Sequence, residues 1–294
     1  MTQERIFEDS RKTTTREAHA PEHLERAERA KPPEAERRVE SAERLFERES
    51  QIRVRNKTFQ LSATESRVAY EVGRFRAIQE RDLEAYGAAG QEPQRVLRSL
   101  VRKKLVKSIT FTTPGEAEET RIVVLTKLGR ELAERGFGAK TQQRFYAGLV
   151  KLRELKHDTA IYRMFQEESK RVEAEQGTVY RVVLDYELKR NIFSDLERDR
   201  KEQPTRAEAD LRKEVAINHQ LQVVNGKIPF PDLRIEYRTA RGESQHIDLE
   251  LATGHYKASQ RAEKVRAGFQ IYTLSSNAGG NPFGEDMIRE VFSR

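Results

Sequence analysis

The chain has no cysteine and no tryptophan. Without thiols, disulfides, thiolate metal centres and cysteine nucleophiles are excluded. Aromatic residues make up only 7% of the chain, so no stacking platform for single strands is evident. No apolar run approaches the about 20 residues that span a bilayer, and no membrane partner is expected. Residues 1–50 hold no apolar leader segment, so the expectation is a cytoplasmic protein. No GxxxxGKS/T stretch and no GxSxG elbow occurs, which disfavours P-loop ATP hydrolysis and a serine nucleophile. The six histidines, His19, His23, His157, His219, His246 and His255, form no HxH or HExxH pair, so zinc is not expected.

What the chain does have is charge. Charged residues are 35% of 294, with a formal net charge of +7. The charge is unevenly placed. Residues 1–50 carry 11 Lys+Arg against 13 Asp+Glu, residues 51–140 carry 18 against 11, and residues 141–294 carry 26 against 24. The middle segment alone supplies +7. A cationic segment in an otherwise balanced chain suggests a polyanion-binding module.

Composition and periodicity divide the chain into four parts. Residues 1–57 read as a charged flexible or helical arm, interrupted by Pro32-Pro33 and too poor in apolar residues to fold alone. Residues 58–138 read as a compact domain. Ser62-Ala-Thr-Glu65 is a capping box, followed by Val68, Val72 and Phe75 at helical spacing. A short helix fits 80–86. A third helix fits 92–105, with Val96, Leu97, Leu100, Val101 and Leu105 as its apolar stripe. Two extended stretches, 106–113 and 120–125, suit a hairpin. Residues 139–177 read as a linker helix, in which Phe145, Leu149, Leu152, Leu155 and Ile161 mark a buried side. Residues 178–294 read as a mixed α/β domain. Strands are expected at 178–188, 231–238, 245–251 and 269–274. Helices are expected from a capping box at Thr205–Glu208 to about 222, at 256–267 and at 285–292, and 191–203 reads as a charged connector.

The third helix carries the first functional signal. Opposite its apolar stripe stand Gln94, Arg95, Arg98, Ser99 and Arg102, and Lys103, Lys104 and Lys107 continue the positive charge towards the hairpin. Arginine can pair with phosphates or reach guanine edges, and glutamine can read adenine. The segments LSATESRV, LRSLVRKKLV and LTKLGR together resemble bacterial winged-helix regulators over about 80 residues. That resemblance implies a winged helix-turn-helix docking on double-stranded DNA.

The second signal lies in the α/β part. In the strand at 245–251, His246, Asp248 and Glu250 alternate with Ile247, Leu249 and Leu251, and Asp232 opens the neighbouring strand. A tight turn brings such carboxylates together, and clustered carboxylates call for a cation. Oxygen-rich sets suit Mg²⁺ or Mn²⁺. On a helical wheel Leu211, Val215, Ile217 and Leu221 define an arc that includes Glu214, so Glu214 is expected to face inward as a further ligand or orienting group.

Pro231-Asp232 and Asp248-Leu-Glu250 resemble the signatures of the PD-(D/E)xK nuclease superfamily, with helix–strand–strand–helix–strand order over about 90 residues. Two alignments stay open. With Asp248 as the second acid, Glu250 takes the lysine position. With Glu250 as the second acid, Ala252 falls there and the lysine comes from the next helix, as Lys257 or Lys264. The order of a winged helix before a nuclease-like domain resembles the replication-relaxation family of bacterial plasmid and mobile-element proteins. The likeness implies a role in plasmid replication, mobilisation or DNA relaxation. If the domain is catalytic, Asp232, Asp248 and Glu250 hold the metal, Lys264 or Lys257 positions the attacking water, and Glu214 assists. The alternative is a non-catalytic accessory protein or regulator whose second domain mediates homodimerisation or docking to other proteins of a mobile-element complex.

Overall fold

The computed structural model describes residues 45–86, 93–112, 119–148, 154–252, 256–276 and 285–290. The fold is mixed α/β with three sheets. An antiparallel ribbon opens it, β1 (Ser50–Val54) paired with β2 (Lys57–Leu61). β1 falls inside the segment expected to be an arm. Phe46, Ile52 and Val54 are buried in the main core, and this apolar anchorage outweighs the surrounding charge. Residues 1–44 of that arm lie outside the described residues.

α1 (Ala63–Arg74) begins at the expected box. The Ser62 Oγ accepts from the Glu65 amide at 3.1 Å, and the Glu65 carboxylate accepts from the Ser62 amide at 2.9 Å. β3 (Ile78–Gln79), a 3-10 helix (Glu80–Tyr86) and α2 (Pro93–Arg102) follow. β4 (Val106–Thr112) and β5 (Glu119–Leu125) form the expected hairpin, and β5 sits between β3 and β4 in one antiparallel sheet. The tip of the hairpin, 113–118, is outside the described residues. α3 (Lys127–Ala133) starts at Thr126, whose Oγ1 accepts from the Gly129 amide at 2.9 Å and donates to the Lys104 carbonyl at 2.7 Å. A Cβ on Gly129 would stand 2.0 Å from the Leu105 carbonyl oxygen. The glycine of the Leu-Thr-x-x-Gly stretch is therefore what lets α3 begin against the end of α2.

The expected linker helix starts late. Residues 142–148 run without helix and tie the two halves together. The Gln143 side chain accepts from the Val182 amide and donates to its carbonyl, both at 2.9 Å. α4 (Leu155–Ala174) then buries Ala160, Ile161, Tyr162, Met164 and Phe165 in the same core as Phe75 and Leu249. Leu149 and Leu152 lie outside the described residues.

The last sheet has the order β10-β9-β8-β7-β6, built from β6 (Thr178–Leu184), β7 (Leu233–Arg238), β8 (Ser244–Ala252), β9 (Gln270–Ser276) and β10 (Glu285–Arg289). All neighbours are antiparallel except β8 and β9, which α7 (Ala258–Arg266) connects in parallel. α5 (Asp185–Glu202) and α6 (Glu208–Asn218) intervene between β6 and β7 and cover a second small core of Ile192, Leu196, Val215, Leu221 and Phe269.

Three expectations are corrected here. The connector at 191–203 is part of α5. Its Ile192 and Leu196 supply a sparse i, i+4 stripe, and its charges pair along the helix, as in Lys189–Asp185 and Lys201–Glu197. In place of the start of the closing helix expected at 285–292, residues Glu285–Arg289 form strand β10, because an open sheet edge at β9 offers backbone partners, and 291–292 lie outside the described residues. No side chain caps α6. Its first residue, Glu208, accepts instead from Arg200 and Arg212.

Candidate functional site

Two places in the fold concentrate the chemistry that the sequence singled out. The first is the outer face of α2. Val96, Leu97 and Leu100 are buried and hold the helix on the core, while Gln94, Arg95, Arg98 and Arg102 are exposed. Val101, expected in the stripe, is 42% exposed. It lines one groove with Arg95, Arg98, Arg102 and, from β5, Arg121. Sequence reasoning missed Arg121. It sits on the central strand of its sheet, and only the register Thr110↔Arg121 carries it to α2's side. Among the described residues none of these four guanidinium groups forms an ion pair, and Arg98 donates only to the Gln94 carbonyl at 3.2 Å.

Lys103 and Ser99 depart from their expected role. Lys103 Nζ donates to the Glu65 carboxylate at 2.6 Å and to the Gln60 carbonyl at 2.8 Å. Burial would raise the Glu65 carboxyl, but Lys103, Ser99 and the Ser62 amide hold it below its ordinary value. Both side chains thus serve the start of α1 rather than an outside ligand. Lys104 and Lys107 are exposed as expected.

The second place is the head of β7 and β8. Register brings its acids together: Leu233 pairs with Leu249, so Asp232, one step earlier, is carried beside Glu250. Lys264 of α7 reaches across. Its Nζ lies 2.8 Å from Glu250 Oε1 and donates to the Phe230 carbonyl at 2.6 Å. The Tyr256 hydroxyl donates to the same Glu250 oxygen at 2.5 Å, while Glu250 Oε2 is buried without a partner among the described residues. Asp232 Oδ2 accepts from the Leu251 amide at 2.9 Å and faces His157 Nε2 of α4 at 3.4 Å.

The charges balance inside the protein. Burial, and next to it the Asp232 charge, push the Glu250 carboxyl above its ordinary value. Burial works the same way on Asp232, but His157, the Leu251 amide and Lys264 outweigh it and hold Asp232 below its ordinary value. Burial would lower His157, yet Asp158 and Asp232 raise it to about 10, so it is a cation at neutral pH. Two carboxylates thus meet two cations. His157 was not among the sequence candidates, because it lies 75 residues away on a helix whose only visible signal is apolar spacing.

Three predicted residues do not join this cluster. Asp248 is held by Arg234, its direct cross-strand partner, through Nε–Oδ1 at 2.7 Å and Nη2–Oδ2 at 2.8 Å, and Arg234 also donates to the His219 and Gln220 carbonyls. Both oxygens of Asp248 accept from Arg234, which sets it apart from the Asp232–Glu250 pair as the counter-ion of that arginine. Glu214 faces outward and pairs with Arg206. Ile217, on the same expected buried arc, is 62% exposed. The buried residues of α6 are Leu211, Val215 and Ala216, a narrower stripe than the wheel assumed. Lys257 is exposed at the start of α7. His246 stands 3.8 Å from Asp248, and burial, then the Arg234 charge, lower it. His255 and Gly254 lie outside the described residues.

No three His, Asp or Glu side chains converge as a metal-ion group among the described residues. The remaining pair, Asp232 and Glu250 with its free oxygen, still fits Mg²⁺, which keeps several waters and takes one or two carboxylates. Among the described residues no helix is long and apolar enough to cross a membrane. No protein family, curated protein or solved structure matches the chain.

Proposed function

We propose that the protein binds double-stranded DNA through α2 and β5, and that the cluster at β7 and β8 is a nuclease-like site for DNA phosphodiesters. The observation that carries the first half is the groove lined by Arg95, Arg98, Arg102 and Arg121 together with Glu80, in which none of the four guanidinium groups forms an ion pair among the described residues. Arginines held on a packed helix suit phosphate contact and bidentate base reading. The order α1, 3-10 helix, α2 and hairpin supports a winged-helix reading of this half, with α2 as the helix that enters the major groove.

A salt titration of duplex binding tests this half. The expected result is a steep fall of affinity with salt, which the joint substitution Arg98→Ala and Arg102→Ala makes shallower. Unchanged binding by that variant rejects α2 as the reader.

The second half rests on the convergence of Asp232, Glu250 and Lys264. That set favours the alignment in which Glu250 is the second acid and the lysine comes from the following helix. The helix–strand–strand–helix–strand run of α6, β7, β8, α7 and β9 supports it. Asp232 and Glu250 would hold Mg²⁺ or Mn²⁺, which when bound supplies a Lewis acid and a more acidic water. Lys264, which contacts Glu250, would hold a water or phosphate oxygen there. His157, beside the Asp232 carboxylate, would add positive charge near such a phosphate. A plasmid nicking assay with and without divalent metal tests it. Without cleavage of plasmid or linear DNA, the reading becomes a non-catalytic replication or mobilisation accessory protein.

A further inference from the structure

α5 presents a row of side chains that neither part of the proposed function uses. Its inner stripe, Leu188, Ile192 and Leu196, is buried. Its outer face leaves Tyr186 53% and Phe193 56% exposed. These residues are seven apart, two helical turns, and so lie on one stripe. Phe230, at the approach to β7, sets its ring 5.8 Å from that of Phe193. Cations alternate with these rings. The Arg76 guanidinium lies 5.6 Å from the Tyr186 ring and the Lys189 amine 5.7 Å from the Phe230 ring. Asp185 pairs with both, with Lys189 at 2.8 Å and Arg76 at 3.7 Å.

This row adjoins the acidic cluster. The Phe230 carbonyl accepts from Lys264, the amine that contacts Glu250. The Asp185 amide donates to the Asp232 carbonyl at 3.1 Å. Two exposed rings and the half-buried Phe230, interleaved with cations, match a strand of unpaired nucleotides, whose bases stack on aromatic faces while phosphates meet the cations. An aliphatic protein partner would have no use for this alternation.

We propose that Tyr186, Phe193 and Phe230, with Arg76 and Lys189, bind the unpaired bases of a single DNA strand beside the Asp232–Glu250–Lys264 cluster. The proposal rests on the nuclease-like reading for the strand's destination, and not for the stacking itself.

The test is fluorescence anisotropy of the full chain with a short labelled oligo(dT) and with an abasic strand of equal length. The expected result is oligo(dT) binding at least about fivefold tighter than the abasic strand. Tyr186→Ala and Phe193→Ala should each lose about fivefold or more for oligo(dT), while Tyr186→Trp and Phe193→Trp retain it. Equal binding of the two strands by the wild type overturns the proposal without any variant. So does wild-type affinity in the folded alanine variants. If sedimentation shows that Phe193→Ala only dissociates a dimer, with oligo(dT) affinity unchanged, the face is a contact between copies and the proposal fails. Plasmid nicking separates the two readings. Nicking without base preference sinks the stacking row alone, and base preference without nicking sinks the cleavage reading alone.

Discussion

The face of α2 and the head of β7 and β8 handle charge under opposite conditions. On α2, Arg95, Arg98 and Arg102 stand in solvent, and with Arg121 they share a groove without ion-pair partners among the described residues. At β7 and β8, Asp232, Glu250 and Asp248 are largely removed from solvent, and each faces a cation from another element: His157, Lys264 and Arg234. An exposed guanidinium is solvated at little cost, so it can wait for an outside anion. A buried carboxylate without a partner is costly, so the fold has to supply its cation. The first region therefore keeps its charge in solvent. The second is built around internal pairs, with Glu250 Oε2 buried and without a hydrogen-bond partner among the described residues.

Substitutions can break or sharpen this contrast. The largest effect is expected from Asp232→Ala, which should reduce metal-dependent nicking to background and leave duplex affinity within about twofold, as read by nicking and anisotropy in parallel. Loss of duplex binding in the folded variant would show that the two regions are not separable. Next, Arg234→Ala leaves Asp248 buried and uncompensated. A loss of about 3–5 kcal/mol in urea unfolding is expected, and removing Asp248 as well, as Asp248→Leu with Arg234→Met, should restore most of it. A small effect in the single variant would mean that water reaches the pair.

On the other side, Arg98→Ala with Arg102→Ala should make the log–log salt slope shallower by about 1.8, and Arg121→Ala by about 0.9. The pH dependence of stability comes next. The His157 pKa in the folded protein, about 10, lies above its ordinary 6.5. Its contribution is therefore fully present below about pH 6.5 and is lost as pH rises towards 10. Wild type and His157→Gln, compared by urea unfolding across this window, should converge at its alkaline end. Parallel profiles would mean that His157 is neutral in the fold. The smallest effect is expected from Lys103→Ala. Its charge already belongs to Glu65, so the salt slope should not move.

Much of the first half was legible in the sequence because its signals are local. A capping box needs two residues three apart, and Ser62 and Glu65 form it. The β4–β5 hairpin follows from a short stretch too. Amphipathic spacing gave the buried and exposed sides of α2, apart from Val101. The failures occurred where distant partners decide. Ser99 and Lys103 have the right spacing for DNA but meet Glu65 from another helix. Asp248 alternates in register with Glu250, yet its cross-strand neighbour is an arginine. Glu214 sits on an arc that the wheel made too wide. Strand β10 has helix-like spacing, but an open sheet edge recruits it.

By itself, the sequence determined the mixed α/β class, the cationic middle segment, the basic face of α2 and the presence of Asp232, Asp248 and Glu250 on two neighbouring strands. Those properties depend on residue type, on periods of 2 and 3.6, and on charge counts, all of which are local. The tertiary structure decided which lysine completes the acidic cluster, that His157 joins it, that Asp248 is neutralised, and that aromatic rings line up along α5 beside it. Those outcomes depend on which side chains are brought within a few ångströms by helix docking and strand register, which no short window of sequence contains.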